Sequence, residues 1–516
     1  MDKVVDLTEE NQQLKQQLLS QQQAFDAQLK TKQQRIALLE ELLRSANQRQ
    51  FGASSEKISA DQLRLFNEAE ETASQSEEET EADGQSDIEV PAYTRPRKKR
   101  ASIPDDIERE EIVYDLPETE KHCPHDGTAL RCIGEETHEQ LDIIPAKVRA
   151  LRHIRKKYAC PCCEQHLVTA DKPKQPIEKS IASPGLLAYV AVNKYADALP
   201  LYRQTTIFSR LGIELDRASL SHWVIKCGDL IQPLLNRFQD ELLDQAVIHM
   251  DETPVQVLNE PGKTPETQSY MWVMTHSARA KPVVLYHYSP SRSQATPKTL
   301  LAGYQGALMV DGYSGYQGVC QTENMTRLGC WAHARRKFVE AQKAQGKKKT
   351  GRADMALSFI QRLYRVEQLI KDKSKDERYE IRQQQAKPII DKLQQWLIKN
   401  LAQVPPKSAT GKALSYLHNQ WSELVGYLES GDYPIDNNRA ENAIRPFVIG
   451  RKNWLFSQSQ VGAGASANLY SLIETAKAND LEPYAYLKRV FSQLPNARTL
   501  EDIDALLPWA VKGGVG

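Results

Sequence analysis

Three carboxylates in unlike settings carry the strongest chemical signal in this chain. Asp251 closes the apolar run Ala246-Val-Ile-His-Met250, Asp311 closes Ala307-Leu-Met-Val310, and Glu441 lies within Asp436-Asn-Asn-Arg-Ala-Glu-Asn442. Two acids at strand ends and a third opening a helix, far apart in sequence, suggest one divalent-metal site assembled by folding. Oxygen ligands of this kind suit Mg²⁺ or Mn²⁺, which keep several waters and need few carboxylates. Two such ions held roughly 3.5–4 Å apart activate an attacking oxygen and stabilise a leaving one in phosphoryl transfer. That is the chemistry of nucleases and of DNA strand transfer. Each acid also has a plainer reading. Glu252 beside Asp251 is a second ligand candidate, although strand alternation puts the two on opposite faces, with Asp251 beside His249 and Val247. Asp311-Gly-Tyr-Ser-Gly fits an aspartate turn, and Asn438 with Glu441 fits a capping-box-like helix start. The three together, two of them after strands, favour the metal site.

The elements that must position these acids are legible around them. Strand signals follow in close order at Ala246–Met250, Tyr270–Thr275, Val283–Tyr288 and Ala307–Val310, with Pro261-Gly-Lys-Thr-Pro265 as the first connection. Consecutive strands and a return to a buried strand ending in an acid match a ribonuclease-H-like core, whose first two acids lie on neighbouring central strands. From Asp311 to Glu441 is too far for a simple connection. The helical periodicity of Leu357, Ile360, Leu363, Tyr364, Val366, Leu369 and Ile370 fills it with a helical insertion. At its entrance, residues 335–352 hold eight basic side chains and one acidic, including Lys347-Lys-Lys349. Such a run is a solvated loop or, beside an active site, a set of phosphate contacts.

The N-terminal half reads as a series of modules. Val4, Leu7, Asn11, Leu14 and Leu18 recur as coiled-coil a and d positions do, and Asn11 at an a position favours a parallel dimer. The pattern resumes at Phe25, Leu29, Ile36, Leu39 and Leu43 after a stutter, weakened by Gln21 and Lys32. Residues 61–90 carry eleven acidic side chains and one basic, and Arg95-Pro-Arg-Lys-Lys-Arg100 reverses the sign, so a disordered linker is expected. Cys160-Pro-Cys-Cys163 supplies one C-x-x-C knuckle, Cys160 with Cys163, after the strand-like Val148–Arg155. Upstream, Cys123-Pro-His-Asp126 has Asp126 where a second cysteine would complete four ligands for Zn²⁺. Asp126, His125 and Cys132 compete for the fourth position, and a degenerate ribbon held by its own small core is the alternative. Helical stretches at 185–192 and 201–211, a turn at Gly212, and a second helix capped by Asp216 fit a helix-turn-helix or an ordinary helical hairpin.

Composition sets the compartment. The formal net charge is zero, from 67 basic and 67 acidic residues, and eight cysteines lack the spacing of a disulfide framework. No stretch approaches roughly 18 consecutive apolar residues, so a soluble cytoplasmic protein with no membrane segment is expected. The chain thus reads as a multidomain α/β protein. A coiled coil at 1–50 is followed by a charged linker at 51–105, a zinc-ribbon-like module at 106–175 and a helical DNA-binding region at 176–240. A ribonuclease-H-like catalytic domain at 241–480 carries its insertion at about 340–430, and a helical tail closes the chain at 481–516.

Several stretches are longer than a spacing rule. Met250-Asp-Glu-Thr-Pro254, Val310-Asp-Gly-Tyr-Ser-Gly-Tyr316, Cys330-Trp-Ala-His-Ala-Arg-Arg-Lys-Phe338 and Asp436–Glu441 with Gly450-Arg-Lys-Asn-Trp454 resemble the insertion sequence 66 family of bacterial transposases. The likeness runs nearly end to end, taking in Phe51-Gly-Ala-Ser-Ser-Glu56 and Leu506-Leu-Pro-Trp509. It implies a DDE recombinase with Asp251, Asp311 and Glu441 as its acids, holding Mg²⁺ or Mn²⁺, and nucleoid DNA as its partner. Hydrolysis at the element ends would free 3′-hydroxyls that then attack target DNA. Arg335, Arg336, Lys337, Arg445, Arg451 and Lys452 are the matching basic candidates for DNA contact, though Arg445 could instead pair with Glu441. The resemblance gives Cys330 and His333 a supporting role; the residues alone show no two further ligands beside them. Asp126 departs from the ribbon pattern and puts Zn²⁺, not catalysis, in question. A dimer or higher oligomer through the coiled coil, and small accessory proteins of the same element, are implied partners. A zinc-ribbon DNA-binding protein without catalysis, and a nuclease that cuts without joining, are the rivals; a glycosidase acid pair fits the flanking DNA-binding features less well.

Overall fold

The computed structural model describes residues 167–344 and 351–513, apart from Arg279, together with 147–159 and scattered positions nearer the N-terminus. Lys347–Lys349, the charged linker, and Cys123, Asp126, Cys132, Cys160 and Cys163 lie outside the described residues. Every described position between Leu19 and Leu43 is helical, and Leu19, Phe25, Leu29, Ile36, Leu39 and Leu43 are exposed. The few described residues of a separate compact unit, Ser76–Arg152, include no helix. Strands β1 (Lys157–Ala159) and β2 (Leu167–Thr169) form an antiparallel hairpin whose connection carries the Cys160–Cys163 knuckle.

Four helices lie between β2 and the main sheet. In α1 (Pro184–Tyr195), Ser183 caps the first turn and proline occupies its start, where no amide is needed. Helix α2 (Leu201–Arg210) turns through Gly212, at φ +78°, into α3 (Arg217–Leu230), whose Asp216 cap accepts the Ser219 amide at 2.7 Å. Helix α4 is Gln232–Leu243. The helix–turn–helix order is therefore present, but 176–240 is not a separately cored module. Leu187, Phe208, Leu220, Val224 and Phe238 share one hydrophobic core with the sheet. The second helix of the pair is committed to that core at Gly228, where an added β-carbon would meet the backbone of Ala465.

The main sheet is built from β3 (Val247–Asn259), β4 (Gln268–His276), β5 (Val284–Ser289), β6 (Ala307–Val310) and β7 (Thr326–Gly329), in the order β5-β4-β3-β6-β7. Strand β4 runs antiparallel to both neighbours, whereas β6 is parallel to β3 and β7 to β6. Helices α5 (Ala295–Leu300) and α6 (Ser314–Glu323) lie between these strands in sequence. Asp251 does not end its strand, as the apolar run suggested; it is the fifth residue of thirteen. Past it, the β3–β4 hairpin continues to Gln256 opposite Gln268, with burial alternating instead of continuous. Apolar runs mark only the part of a strand covered on both faces.

The expected insertion is present and has its own core, reaching from Trp331 to Ile435. It comprises α7 (Trp331–Ala344), α8 (Arg352–Leu369), α9 (Lys375–Ile381), a π-helical turn at Arg382–Ala386, α10 (Lys387–Leu401), α11 (Ala409–Asn419) and α12 (Trp421–Val425). On the π-helical turn Arg382, 1% exposed, grips both oxygens of Glu367 at 2.6 and 2.9 Å and donates to the carbonyls of Tyr427 and Ser430. Each of its three nitrogens thus has a partner, which is what lets a guanidinium sit in a dry core.

Helix α13 (Asn438–Trp454) leads to β8 (Phe456–Ser459), which pairs in parallel with the far end of β3. Helix α14 (Gln460–Ala478) then covers the sheet edge at β5. Ser471 and Thr475, one turn apart, accept the β5 amides of Tyr286 and Val284 at 2.7 and 3.0 Å. The edge is closed by side-chain hydroxyls instead of another strand. Helices α15 (Pro483–Gln493), α16 (Leu500–Asp504) and α17 (Pro508–Gly513) complete the chain. Residues from 481 onward are no loose tail, since Leu487, Val490 and Phe491 enter the main core beside α1.

Replacing Arg382 with Ala leaves Glu367 buried without its partner. Urea denaturation is expected to show a loss of about 3–5 kcal/mol; a loss below about 1 kcal/mol would mean the pair does not fix the insertion.

Candidate active site

Asn437 organises the site. It is completely buried and precedes α13 as its N-cap, yet its side chain makes no capping bond. Its amide instead donates to the Met250 carbonyl at 2.7 Å, and its Oδ1 meets His249 Nδ1 at 3.1 Å. With the amide oriented this way, His249 carries its proton on Nδ1, and Nε2 accepts from the Ser277 hydroxyl at 2.7 Å. Burial and the charge of Arg439 lower the His249 pKa to about 3, so the ring stays neutral. The Asn437 backbone amide donates to Cys330 Sγ at 3.2 Å. One residue therefore ties the strand carrying Asp251, the start of α7 and the start of the helix carrying Glu441. Its neighbour Asp436 accepts from the Tyr364 hydroxyl at 2.9 Å and the Asn438 amide at 3.1 Å, joining the insertion to the same point.

Of the three sequence-predicted acids, Asp251 lies near enough to the other two for their charges to act on it, whereas the ligand atoms gathered most tightly among the described residues are those of Cys330, His333 and Glu441. Asp251 lies on central strand β3, and Asp311 immediately follows its parallel neighbour β6. Burial, followed by the charges of Glu252, Glu441 and Asp311, pushes the Asp251 carboxyl well above its usual range. Asp311 Oδ1 accepts the Tyr313 amide at 2.9 Å, and its carbonyl accepts from Arg327, which also reaches Gln420 of the insertion. Glu441 is in the first turn of α13, but it does not form a capping box. Its carboxylate points to α7, where Arg336 bonds Oε2 at 3.0 Å and His333 Nδ1 stands 3.4 Å from Oε1.

That last contact bears on metal binding. Glu441 Oε1 and His333 Nδ1 are both buried, and neither makes a well-aligned hydrogen bond. Burial lowers the His333 pKa while Glu441 opposes it. Two buried polar atoms this close, without an aligned hydrogen bond to either, leave a position that a bridging proton or cation would satisfy. A set of acids that raise one another's proton affinity fits a divalent cation for the same reason. The donor atoms of Cys330, His333 and Glu441 all lie within 4.8 Å of one another. The sequence had suggested no further ligand beside the Cys330–His333 pair; folding supplies one, because the Asn437 amide holds α13 against Cys330.

Glu252, the competing candidate, is otherwise engaged. Arg292 Nε bonds its Oε1 at 2.7 Å, and the Tyr316 hydroxyl donates to its Oε2. Arg292 also stacks over Tyr313 at 4.1 Å. Nothing in the sequence marked Arg292, a lone cation in a serine-rich loop. The predicted basic residues divide between two helices. On α7, Arg336 holds Glu441, Lys337 is exposed and Arg335 is half-buried. On α13, Lys452 is exposed, Arg445 is half-buried, and Arg451 reaches Thr253 of β3 at 3.3 Å. Gly450 leaves the space that Trp454 fills as it turns back toward Tyr195 and Tyr470.

The sheet thus carries Asp251 and Asp311 on and beside neighbouring strands, with a helical insertion and a helix bearing basic side chains next to them. Residues 179–465 match the Transposase IS66 family, 471–509 its C-terminal element, and 120–164 the zinc-finger binding domain of transposase IS66. Residues 38–112 match the Transposase C of IS166 homeodomain. The chain belongs to the IS66 transposase family. It is 31% identical over 498 residues to the uncharacterized protein y4qI of Sinorhizobium fredii, covering 94% of this chain and 90% of that protein. A second uncharacterized protein of that organism, y4jD, is 33% identical over 419 residues, 79% of this chain and 81% of its own length. The family makes DNA the partner of this chain. Among the described residues, no helix is long and apolar enough to cross a membrane.

Asn437→Ala strands a buried carbonyl and a buried imidazole, at about 1–3 kcal/mol for each unsatisfied group. Thermal denaturation should show that loss, with Leu tolerated no better than Ala; an unchanged melting temperature would contradict the clamp. Asp436 is pushed up to about 7, chiefly by burial. A carboxyl whose pKa is raised on folding binds its proton more tightly in the native state, so stability falls as pH rises from about 4 to about 7. Asp436→Asn should flatten that slope in pH-dependent urea melts, whereas a variant that keeps the parent slope would place the titration elsewhere.

Proposed function

We propose that this protein is a DDE-type transposase that cleaves the ends of its own insertion sequence and joins the freed 3′-hydroxyls to target DNA. The observation that supports this reading is that Asp251 and Asp311 belong to two neighbouring strands and Glu441 to a helix pinned to the first, with the charges of Glu441 and Asp311 acting on Asp251. The strand order, with β4 antiparallel between β3 and β5 and with β3, β6 and β7 parallel, supports a ribonuclease-H-like core. Asp251, Asp311 and Glu441 are the proposed ligands for Mg²⁺ or Mn²⁺. When bound, such ions stabilise charge on the attacking and leaving oxygens of an in-line displacement. The chain's own residues supply position: Asn437 fixes the spacing between β3 and α13, and Cys330 and His333 orient the Glu441 side of the site. Arg335, Arg336, Lys337, Arg445, Arg451 and Lys452 hold phosphates on either side of it. With Glu441 engaged by a cation, Arg336, which now bonds that carboxylate, would be available to hold a phosphate.

The zinc-finger segment binds Zn²⁺ through Cys123, Asp126, Cys160 and Cys163 in this reading, with the last two in the β1–β2 connection. The exposed leucines and isoleucine of the N-terminal helix pair with a second copy as a coiled coil, so that two protomers meet two DNA ends. The reaction takes place on bacterial nucleoid DNA in the cytoplasm, with small proteins of the same element as accessories.

The test is Mg²⁺- or Mn²⁺-dependent cleavage and joining of DNA carrying the element's ends, for wild type and Asp311→Asn. The variant should bind these ends yet lose at least about a thousandfold in strand transfer, equivalent to roughly 4 kcal/mol of barrier. Cleavage with no joined product would favour a nuclease, and cleavage surviving the substitution would sink the assigned site.

A further inference from the structure

The outward face of α13 continues past the acid site and ends in an unusual turn. Beginning at Asn442, the residue after Glu441, Arg445, Ile449 and Lys452 follow at three- and four-residue steps, so the four form one stripe on the helix. Between Asn442 and Ile473 the chain holds three basic side chains and no acidic one. Beyond the last turn, Leu455 adopts φ +66° and ψ −49°, a left-handed conformation that disfavours residues with a β-carbon. This turn places Leu455 in solvent at 66% exposure, beside Phe456 at 41%, while Ile449 is 52% exposed. Trp454, one residue earlier, packs inward against Tyr195 and Tyr470 under the Lys194 ammonium. The anchor and the strained turn together hold two large apolar side chains outward, at the end of a cationic stripe.

We propose that this face of α13 is a track for the DNA end, with Leu455 and Phe456 as an apolar wedge against its bases. The inference rests on the transposase reading above. Leu455 lies fourteen residues beyond Glu441, roughly 21 Å along a helix, or about six base-pair steps of B-DNA. The wedge therefore meets the duplex about six steps from the phosphate held at the acids. Apolar side chains inserted at a base step unstack it and bend the duplex, and an exposed aromatic ring stacks on a freed base regardless of its identity. DNA fits this patch better than a second copy of the chain, because a segment whose only charged side chains are basic repels its own copy and attracts phosphates.

The experiment uses full-length protein without divalent metal and duplexes carrying the end of its element. A fluorescent adenine analogue is placed at successive positions from the terminus. Wild type should brighten the analogue about six steps in. The double variant Leu455→Gly, Phe456→Ser changes only exposed side chains and removes the backbone strain, so it should melt no lower than wild type. It should lose the brightening and bind roughly tenfold more weakly at fixed salt, with an unchanged salt slope. Lys452→Ala should instead keep the brightening and make the slope shallower by about one. A double variant that binds and brightens like wild type overturns the wedge, as does one that only loses self-association. Wild type that cleaves its ends with metal but never brightens the analogue sinks this inference alone. Wild type that neither binds nor cleaves the ends sinks the transposase reading with it.

Discussion

The carboxamide of Asn437 has donors and an acceptor to satisfy where no water reaches, and the way they are satisfied sets the distances between the acids. Its amide takes the Met250 carbonyl, the residue just before Asp251, and its oxygen takes a neutral His249 on the same strand. The backbone amide of the same residue takes Cys330 at the start of α7. A buried carbonyl or imidazole left without its partner is costly, so β3, α7 and α13 keep one relative arrangement. Glu441, one turn along α13, inherits that precision.

Around this clamp the fold balances opposing charges. Asp251 is made reluctant to ionise by burial and by three neighbouring carboxyls, while Glu252 is drawn away by Arg292 and Tyr316. Arg336 and His333 stand at Glu441 on the opposite side. The insertion is part of this balance and not a mere spacer. Its Tyr364 braces Asp436, its Gln420 braces the arginine that holds the Asp311 carbonyl, and its own integrity depends on the buried Arg382–Glu367 pair. A distortion in the insertion would therefore reach the acids through named hydrogen bonds.

Much of this was legible in the sequence, and the exceptions have physical reasons. The four runs that predicted strands fall on the most buried stretches of β3, β4, β5 and β6, although His287 in β5 is exposed. Strands β7 and β8 escaped because Thr326-Arg-Leu-Gly329 and Phe456-Ser-Gln-Ser459 are short and largely polar, shaped by their neighbours and not by their own pattern. The helices of 176–240 were visible, but their membership in the main core depends on a glycine–alanine contact between residues 228 and 465, which no local periodicity encodes. All three acids were proposed from their settings alone. Asn437 stood in the same motif and was passed over, since a buried amide and a capping amide look alike until the helix start is located. Arg292 left no signal.

The central claim is that Asp251, Asp311 and Glu441 act as one cation site whose geometry Asn437 maintains. The most direct measurement is Mn²⁺ affinity by electron paramagnetic resonance, in the presence of end DNA, for wild type, Glu441→Gln, Asp311→Asn and Asn437→Ala. Each carboxylate substitution should nearly abolish binding, and Asn437→Ala should weaken it about 10–100-fold, as loss of an orienting partner does at metal sites. Affinity that survives both carboxylate substitutions would contradict the account.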